Sequence, residues 1–531
     1  MRRVEGPSRI AARAETINIS TLNFQITGDG NGHDMDSSLM AQVFRRLLSH
    51  QTCSQLRFFS PLPRRLPPNA PGRRYYRSSN EDEQEDRSTS NWQQRTDIFP
   101  PDKLREYERY PMVTSDMLRS RRERPKRVKM LARDFIEDSL YNPHYGYFPK
   151  QVVIFSPGQA FDFNSMANEP EFHKQLGERY TAFEDALDAE VPNESRQLWH
   201  TPTELFRPYY GEAIARYLVT NYKLSNYPMH DLIIYELGAG NGTLMLNILD
   251  YIRDFEPDVY ARTKFKVIEI SSALASLQTS QLMRTASSRG HADHVEIINR
   301  SVFAWDIYVP VPCYFLALEV FDNFAHDSIR YDPFTEEPLQ GIVLIDNSGD
   351  FWEFYSKHID PVAARFLRVR QAACSRPFDH PLRGSRFLRR LKSRLPLAPN
   401  MTVPEYIPTR LMQLFNILTE YFPLHQLLTS DFNALPDAVK GYNAPVVQTR
   451  YQRRTVPVTT PYVQQGYFDI LFPTNFSVIE DMYRAITGKL TKVMAHEDFL
   501  KRWAYVDDSV TKSGENPMLS WYKNSSVMIS T

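Results

Sequence analysis

The sequence predicts an α/β fold built on an open, mainly parallel sheet, and three observations lead to it. Strand-type apolar runs alternate with helical spacing between residues 231 and 320. A glycine-rich turn joins the first run to the first helix. Acidic residues fall at the C-terminal ends of successive strands.

The first strand reads DLIIYELG over Asp231 to Gly238, and Thr243 to Phe255 (TLMLNILDYIRDF) continues with helical spacing. Between them lie Gly238, Gly240 and Gly242. Glycines let the backbone approach a ligand closely, and a helix N-terminus offers unpaired N–H groups. A dinucleotide site would carry G-x-G-x-x-G, with a late glycine that packs helix on strand. Here the pattern is E-x-G-x-G-x-G from Glu236 to Gly242, with Thr243 and Leu244 following. That form suits S-adenosyl-L-methionine, which has no pyrophosphate to cradle. Glu236, Gly238, Gly240 and Gly242 are therefore the candidate cofactor residues of this turn.

The second strand, Thr263 to Ile270 (TKFKVIEI), carries Glu269 near its end, 27 residues beyond Gly242. An acid there can accept from both hydroxyls of a ribose. A helix is expected from Ser272, a third strand over His294 to Val302, and a fourth over Cys313 to Val320. Asp306, after the third strand, is a further candidate for cofactor contact, at the adenine. Glu319 and Asp322 follow the fourth strand. In open sheets ligands sit beyond the C-terminal strand ends, and Glu236, Gly238, Glu269, Glu319 and Asp322 all fall at that edge.

The rest of the chain bounds the function class. The 531 residues carry 63 basic and 63 acidic side chains and 42% hydrophobic residues. This is enough chain for a sizeable core, with no basic excess to indicate a nucleic-acid binder. Cys53, Cys313 and Cys374 fit neither a disulfide framework nor a zinc site, so no metal is expected. No apolar run reaches the length of a membrane span. Residues 40–77 hold eight arginines and no Asp, Glu or Lys, and pair Val43, Phe44, Leu47 and Leu48 with Arg45 and Arg46. That is the pattern of a mitochondrial transit peptide. Residues 1–39 contain acids unsuited to such a signal, and they are expected to be a non-native or disordered extension ahead of Met40. Residues 78–130 are expected to be a disordered charged linker, including the basic run Arg119 to Lys129. Residues 131–531 are expected to form the catalytic domain.

These features resemble the MidA-like methyltransferase family, whose animal member is a mitochondrial complex I assembly factor. The resemblance runs from about residue 132 to 480. It rests on Ala132 to Ile136, Ser139 to Pro143 with Gly146 to Phe148, Thr201 to Phe206 with Gly211-Glu212, Glu236 to Thr243, and Glu269-Ile270-Ser271. It continues through Glu319-Val320-Phe321-Asp322, Pro404 to Pro408 and Gly466 to Asp469. The resemblance implies a Rossmann-like class I methyltransferase fold with an added helical N-terminal part and β-rich C-terminal insertions. It implies S-adenosyl-L-methionine as cofactor, the mitochondrial matrix as location, and a protein substrate. The acceptor it implies is an arginine of a complex I subunit, methylated as by type II arginine methyltransferases. Departures are Ala325 in place of a proline, Asp431-Phe432-Asn433 in place of DYG, about 40 residues inserted between Asp162-Phe163 and Thr201, and the arginine-rich stretch Arg383 to Arg394.

An arginine acceptor is cationic and a poor nucleophile, so carboxylates that orient it are the expected catalytic groups. Glu319 and Asp322 are the candidates, with Glu204 a third. Two other readings stand beside this one: a donor-binding assembly chaperone with little catalysis, and a methyltransferase acting on a small molecule. Sequence leaves the oligomeric state open.

Overall fold

The computed structural model describes residues 92–93, 102–150, 152–269, 275–374, 376–395, 398–436 and 439–531, without the side chains of 92–93 and 275–281. The extension over 1–39 and the transit segment over 40–77 lie outside the described residues.

The central layer is a seven-stranded sheet. In chain order its strands are β1 Leu232–Leu237, β2 Thr263–Glu269, β3 Val295–Asn299, β4 Cys313–Leu318, β5 His425–Phe432, β6 Thr491–Ala495 and β7 Ser525–Ser530. Their spatial order is β6-β7-β5-β4-β1-β2-β3. The pairs β1–β2, β2–β3, β1–β4 and β4–β5 are parallel, while β7 is antiparallel to both β5 and β6. The chain leaves β1 toward β2 and β3, then crosses back to β4, so the strand order reverses between β1 and β4. Open α/β sheets bind ligands at such a reversal. The predicted Rossmann-like class I methyltransferase fold is the observed one.

The strands are apolar because both faces are covered. Residues Leu232 to Leu237 of β1 are buried apart from the half-buried Ile233. The helix Thr243–Phe255 buries Leu244, Met245, Ile248, Leu249 and Ile252 on the stripe its spacing predicts. Each such side chain contributes roughly 1.5–3 kcal/mol of burial. Helix Tyr209–Ser225 packs beside it, and Gly211 permits that approach, since a Cβ there would lie 2.5 Å from Asn247 Cβ. On the opposite face Phe415, Leu418 and Phe422 pack under Tyr235 and Phe315, whose rings stack at 5.0 Å.

The β-rich additions enter between strands of this sheet. A second, antiparallel sheet comprises Trp92–Gln93, Phe351–Ser356, Pro338–Ile345, Asp327–Tyr331 and Glu405–Ile407, with Val128–Leu131 pairing to Pro338–Ile345. Most of it is inserted between β4 and β5. A three-stranded sheet, Val446–Tyr451, Arg454–Val458 and Asp469–Leu471, lies between β5 and β6. Arg133 locks helix Ala132–Tyr141 to the second sheet, donating to Asp327 Oδ2 at 2.6 Å and to Asp360 Oδ1 at 3.2 Å.

The expected disordered linker over 78–130 is corrected for its described part. Residues 102–130 are packed, with Tyr107, Val113, Leu118, Val128 and Met130 buried. Tyr107 stacks on Phe354 at 4.4 Å, and Arg124 donates to the Gln465 carbonyl at 2.7 Å. A few apolar anchors, diluted among arginines, suffice because Val128–Leu131 also pairs with the strand Pro338–Ile345. The insertion after Asp162 forms the 22-residue helix Glu169–Glu190. It is tied to the three-stranded sheet by Arg450, bidentate to Glu184 at 2.7 and 2.9 Å.

Candidate active site

A cleft of about 1950 Å³ opens over the C-terminal ends of β1, β2, β4 and β5. Its walls include Glu236, Gly238, Gly240, Glu269, Glu319 and Asp322, so six of the eight predicted site residues meet in one place.

The turn after β1 is built for close backbone approach. Gly238, Gly240 and Gly242 have φ of +67°, +54° and +73°, where an L side chain is strained. A Cβ on Gly240 would come within 2.7 Å of Ile154 Cδ1 across the cleft. Gly242, the third glycine of the turn, is not among the residues that line the cleft. It caps the helix Thr243–Phe255, where a Cβ would lie 1.9 Å from Cδ1 of Leu282, a side chain that itself lines the cleft. The left-handed φ and the close approach of Leu282 both favour glycine there.

Glu204 braces the same turn. Its Oε1 accepts from Asn241 Nδ2 at 2.9 Å and Thr243 Oγ1 at 2.7 Å, and its Oε2 pairs with Arg207 at 3.1 Å. Both oxygens are therefore committed within the protein, which makes Glu204 a positioning residue and not a group free to hold an acceptor. Thr201 places it by accepting from the Glu204 N–H at the start of the short helix Pro202–Leu205.

Glu236, only 5% exposed, has no hydrogen-bond partner for Oε2 among the described residues. Burial, with Glu269 nearby, pushes its carboxyl up to about 8. An acid so placed lacks the donors or cation that would offset its desolvation. Asp306 is corrected outright. Its side chain is 67% exposed and pairs with Arg300 at 2.7 Å, away from the cleft. The chain turns through a single 3-10 turn at Val302–Ala304, and Val302 takes the place on the wall.

At the other end of the cleft four carboxyls converge. Glu319 sits at φ +54°, a conformation uncommon for a non-glycine residue, fixed by its N–H donating to the Ser430 carbonyl at 2.9 Å. Asp322 is 2% exposed, and its Oδ1 has no hydrogen-bond partner among the described residues. Asp431 shapes the loop that carries both, its Oδ2 accepting from the N–H groups of Phe321 at 2.8 Å and Asp322 at 3.2 Å. Asp469 accepts from Asn323 Nδ2 at 3.1 Å. Burial holds all four above the usual carboxylate range: Glu319 at about 8, Asp431 and Asp469 at about 7, and Asp322 well above its ordinary value, with Asp431, Asp469 and Glu319 adding repulsion. Tyr141 closes this corner, donating to the Asn323 carbonyl at 3.2 Å.

Asp469 and Asp431 were not singled out as site residues in the sequence. Each stood in a recognisable segment, Gly466 to Asp469 and Asp431-Phe432-Asn433, but nothing local says where such an acid points. Of the departures noted, Asp431-Phe432-Asn433 keeps the acid that holds the loop, and Ala325 is buried in a core cluster. Among the described residues no group of His, Cys, Asp and Glu is arranged to hold a metal ion, and no helix is long and apolar enough to cross a membrane.

A family model described as "Putative S-adenosyl-L-methionine-dependent methyltransferase" matches residues 213–494. A Schizosaccharomyces pombe protein named "Protein arginine methyltransferase NDUFAF7 homolog, mitochondrial" is 25% identical over 393 residues, covering 71% of this chain and 80% of its own length. A Saccharomyces cerevisiae protein of the same name is 20% identical over 344 residues, covering 61% of this chain and 78% of its own. A crystal structure from Burkholderia thailandensis with S-adenosyl-homocysteine bound is similar at a TM-score of 0.48 and 14% identity, covering 76% of this chain and 88% of that one.

Proposed function

The chain belongs to the S-adenosyl-L-methionine-dependent methyltransferase family whose model matches residues 213–494, and on that premise we propose that it methylates arginine in a protein substrate. Its cofactor is S-adenosyl-L-methionine, and its location is mitochondrial, as for both named relatives. The finer reading is ours: a type II arginine methyltransferase of the matrix, acting on a subunit of respiratory complex I during assembly. The arginine specificity is supported by the names of the two relatives and by the acidic corner of the cleft.

The residues present fit the cofactor. The unpartnered Glu236 Oε2 needs a donor or a cation, and the glycine turn leaves room that a Cβ would fill. Glu236, Gly238, Gly240 and Glu269 would hold it, with Glu269 suited to ribose hydroxyls. When bound, it supplies an electrophilic methyl group on a sulfonium.

The chain's own part is alignment, water exclusion and proton handling. The observation that carries the acceptor assignment is Asp322, buried, with Oδ1 unpartnered, among Glu319, Asp431 and Asp469. A guanidinium is planar, permanently charged and carries five donors. Entering this corner, it would favour the charged form of carboxyls that burial pushes up and would pair with Asp322 and Glu319. The pairing would fix the plane of the guanidinium and localise its charge away from the attacking nitrogen. As that nitrogen forms its new bond it must lose a proton, and Asp322 or Glu319 would accept it. Glu319 and Asp322 are thus the proposed catalytic residues, with Asp431 and Glu204 as positioning residues.

Incubation of the protein with labelled donor and mitochondrial extract, followed by mass spectrometry, tests the reading. Label on arginine of a complex I subunit is the expected outcome. Label on a small molecule, or none in a donor-binding protein, would replace it with one of the two alternative readings.

A further inference from the structure

The helix Arg386–Ser393 is mounted with its polar side inward. Arg389 donates to Glu336 Oε1 at 2.7 Å and to the Gly384 carbonyl at 2.7 Å, and Arg386 lies 3.2 Å from the same Glu336. Arg390 and Arg394 sit over the Phe334 ring at 5.2 and 5.7 Å. The Arg386 and Arg389 contacts take up the side that faces the protein, and Arg390 and Arg394 reach Phe334 at its margin. The opposite side presents Phe387, 74% exposed, with Leu388, Leu391 and Leu395, each more than half exposed. Positions 387, 388 and 391 follow i, i+1 and i+4 spacing, one stripe on the helix, and Leu395 lies two residues past its end. A surface helix ordinarily turns such a stripe into the core.

The surroundings say what covers it. From Arg383 to Leu395 the chain carries six basic residues and no Asp or Glu. The nearby acids are already matched: Glu336 with Arg386 and Arg389, and Asp379 with Arg383. Lys392 and Arg394 are exposed beside the stripe. An apolar stripe flanked by cations fits the headgroup boundary of an anionic bilayer, where the apolar side chains enter the acyl region and the cations meet lipid phosphates.

We infer that the helix Arg386–Ser393 seats the protein on an anionic lipid surface, lying on the bilayer without crossing it. The inference is independent of the acceptor proposed above. Flotation of the full chain with phosphatidylcholine vesicles, and with vesicles containing about one third phosphatidylserine, tests it. The bound fraction should be at least about tenfold greater on the anionic vesicles and should fall as salt screens the attraction. Phe387→Asp with Leu391→Asp should lower it about tenfold or more, and because both side chains are exposed the thermal midpoint should not move. Lys392→Gln with Arg394→Gln should lower binding to anionic vesicles while leaving the weak neutral binding unchanged. Equal binding by the doubly aspartate-substituted protein, or no preference for anionic vesicles, overturns the inference. A wild-type dimer that this same pair of substitutions turns into a monomer also overturns it, assigning the face to a second copy of the chain.

Discussion

Thr243 Oγ1 donates to Glu204 Oε1 at 2.7 Å, joining the first residue of the helix after β1 to a short helix 39 residues earlier in the chain. Asn241 donates to the same oxygen. The glycine turn is thereby held from outside itself. Glu204→Ala should leave both donors unmatched and loosen the turn, lowering donor affinity about tenfold, the scale of a hydrogen bond to a charged group. Calorimetric titration with S-adenosyl-L-methionine measures this, and unchanged affinity in a folded variant would remove Glu204 from the site.

The three glycines should separate by role. Gly240→Val fills the approach across from Ile154, so it should abolish donor binding in a protein that still folds. Gly242→Ala should act on the fold, because its Cβ would meet Leu282 at 1.9 Å and φ is +73°. A cost of about 1–3 kcal/mol is expected for such overpacking, read as a lower midpoint in urea. Loss of stability in Gly240→Val equal to that in Gly242→Ala would show that the two glycines share one role.

Glu319, Asp322, Asp431 and Asp469 are all held above their ordinary values of 4.5 for Glu and 3.8 for Asp, three of them to about 7 or 8. Between those limits the folded protein without ligand retains protons that the unfolded chain has released. Stability is therefore lost as pH rises through the window. Asp322→Asn removes one of these groups, so it should stabilise the ligand-free protein more at about pH 8 than at about pH 5. Calorimetric midpoints of the two proteins at both pH values check this, and a pH-independent difference would contradict it. The same logic makes binding of a cationic acceptor tighten with rising pH.

Arg133 and Asp327 form a buried pair at 2.6 Å, and Asp327 also accepts from Thr409 at 2.7 Å and Gln340 at 2.9 Å. Asp327→Ala should cost about 3–5 kcal/mol, because it strands a buried guanidinium. Equilibrium unfolding in urea measures it. A loss under about 1 kcal/mol would mean that Asp360 alone satisfies Arg133.

The strand, turn and helix from Asp231 to Phe255 were legible because each signal is local: an apolar run, glycines at φ > 0, then 3.6-residue periodicity. The edge placement of Glu236, Glu269, Glu319 and Asp322 followed from strand alternation alone. Asp306 failed because sequence shows that a residue follows a strand, not whether the chain then turns toward the sheet edge or outward to Arg300. Gly242 shared a motif with Gly240, but one of its constraints comes from Leu282 on another helix. Asp469 stayed hidden because Asn323, which it meets, lies 146 residues away. Residues 102–130 read as linker because Tyr107, Leu118 and Val128 are sparse among arginines, and their burial depends on a sheet formed by residues 327–356.

Asp322 is proposed to meet the acceptor and not the donor. Transfer of labelled methyl by Asp322→Asn, measured beside its calorimetric affinity for S-adenosyl-L-methionine, tests this most directly. Transfer should fall roughly a hundredfold or more, the scale of a lost positioning group, while donor affinity stays near that of the unsubstituted protein, and Glu319→Gln should behave alike. Donor affinity falling in proportion to transfer would place Asp322 in the cofactor site, and full transfer in both variants would remove the two carboxylates from the chemistry.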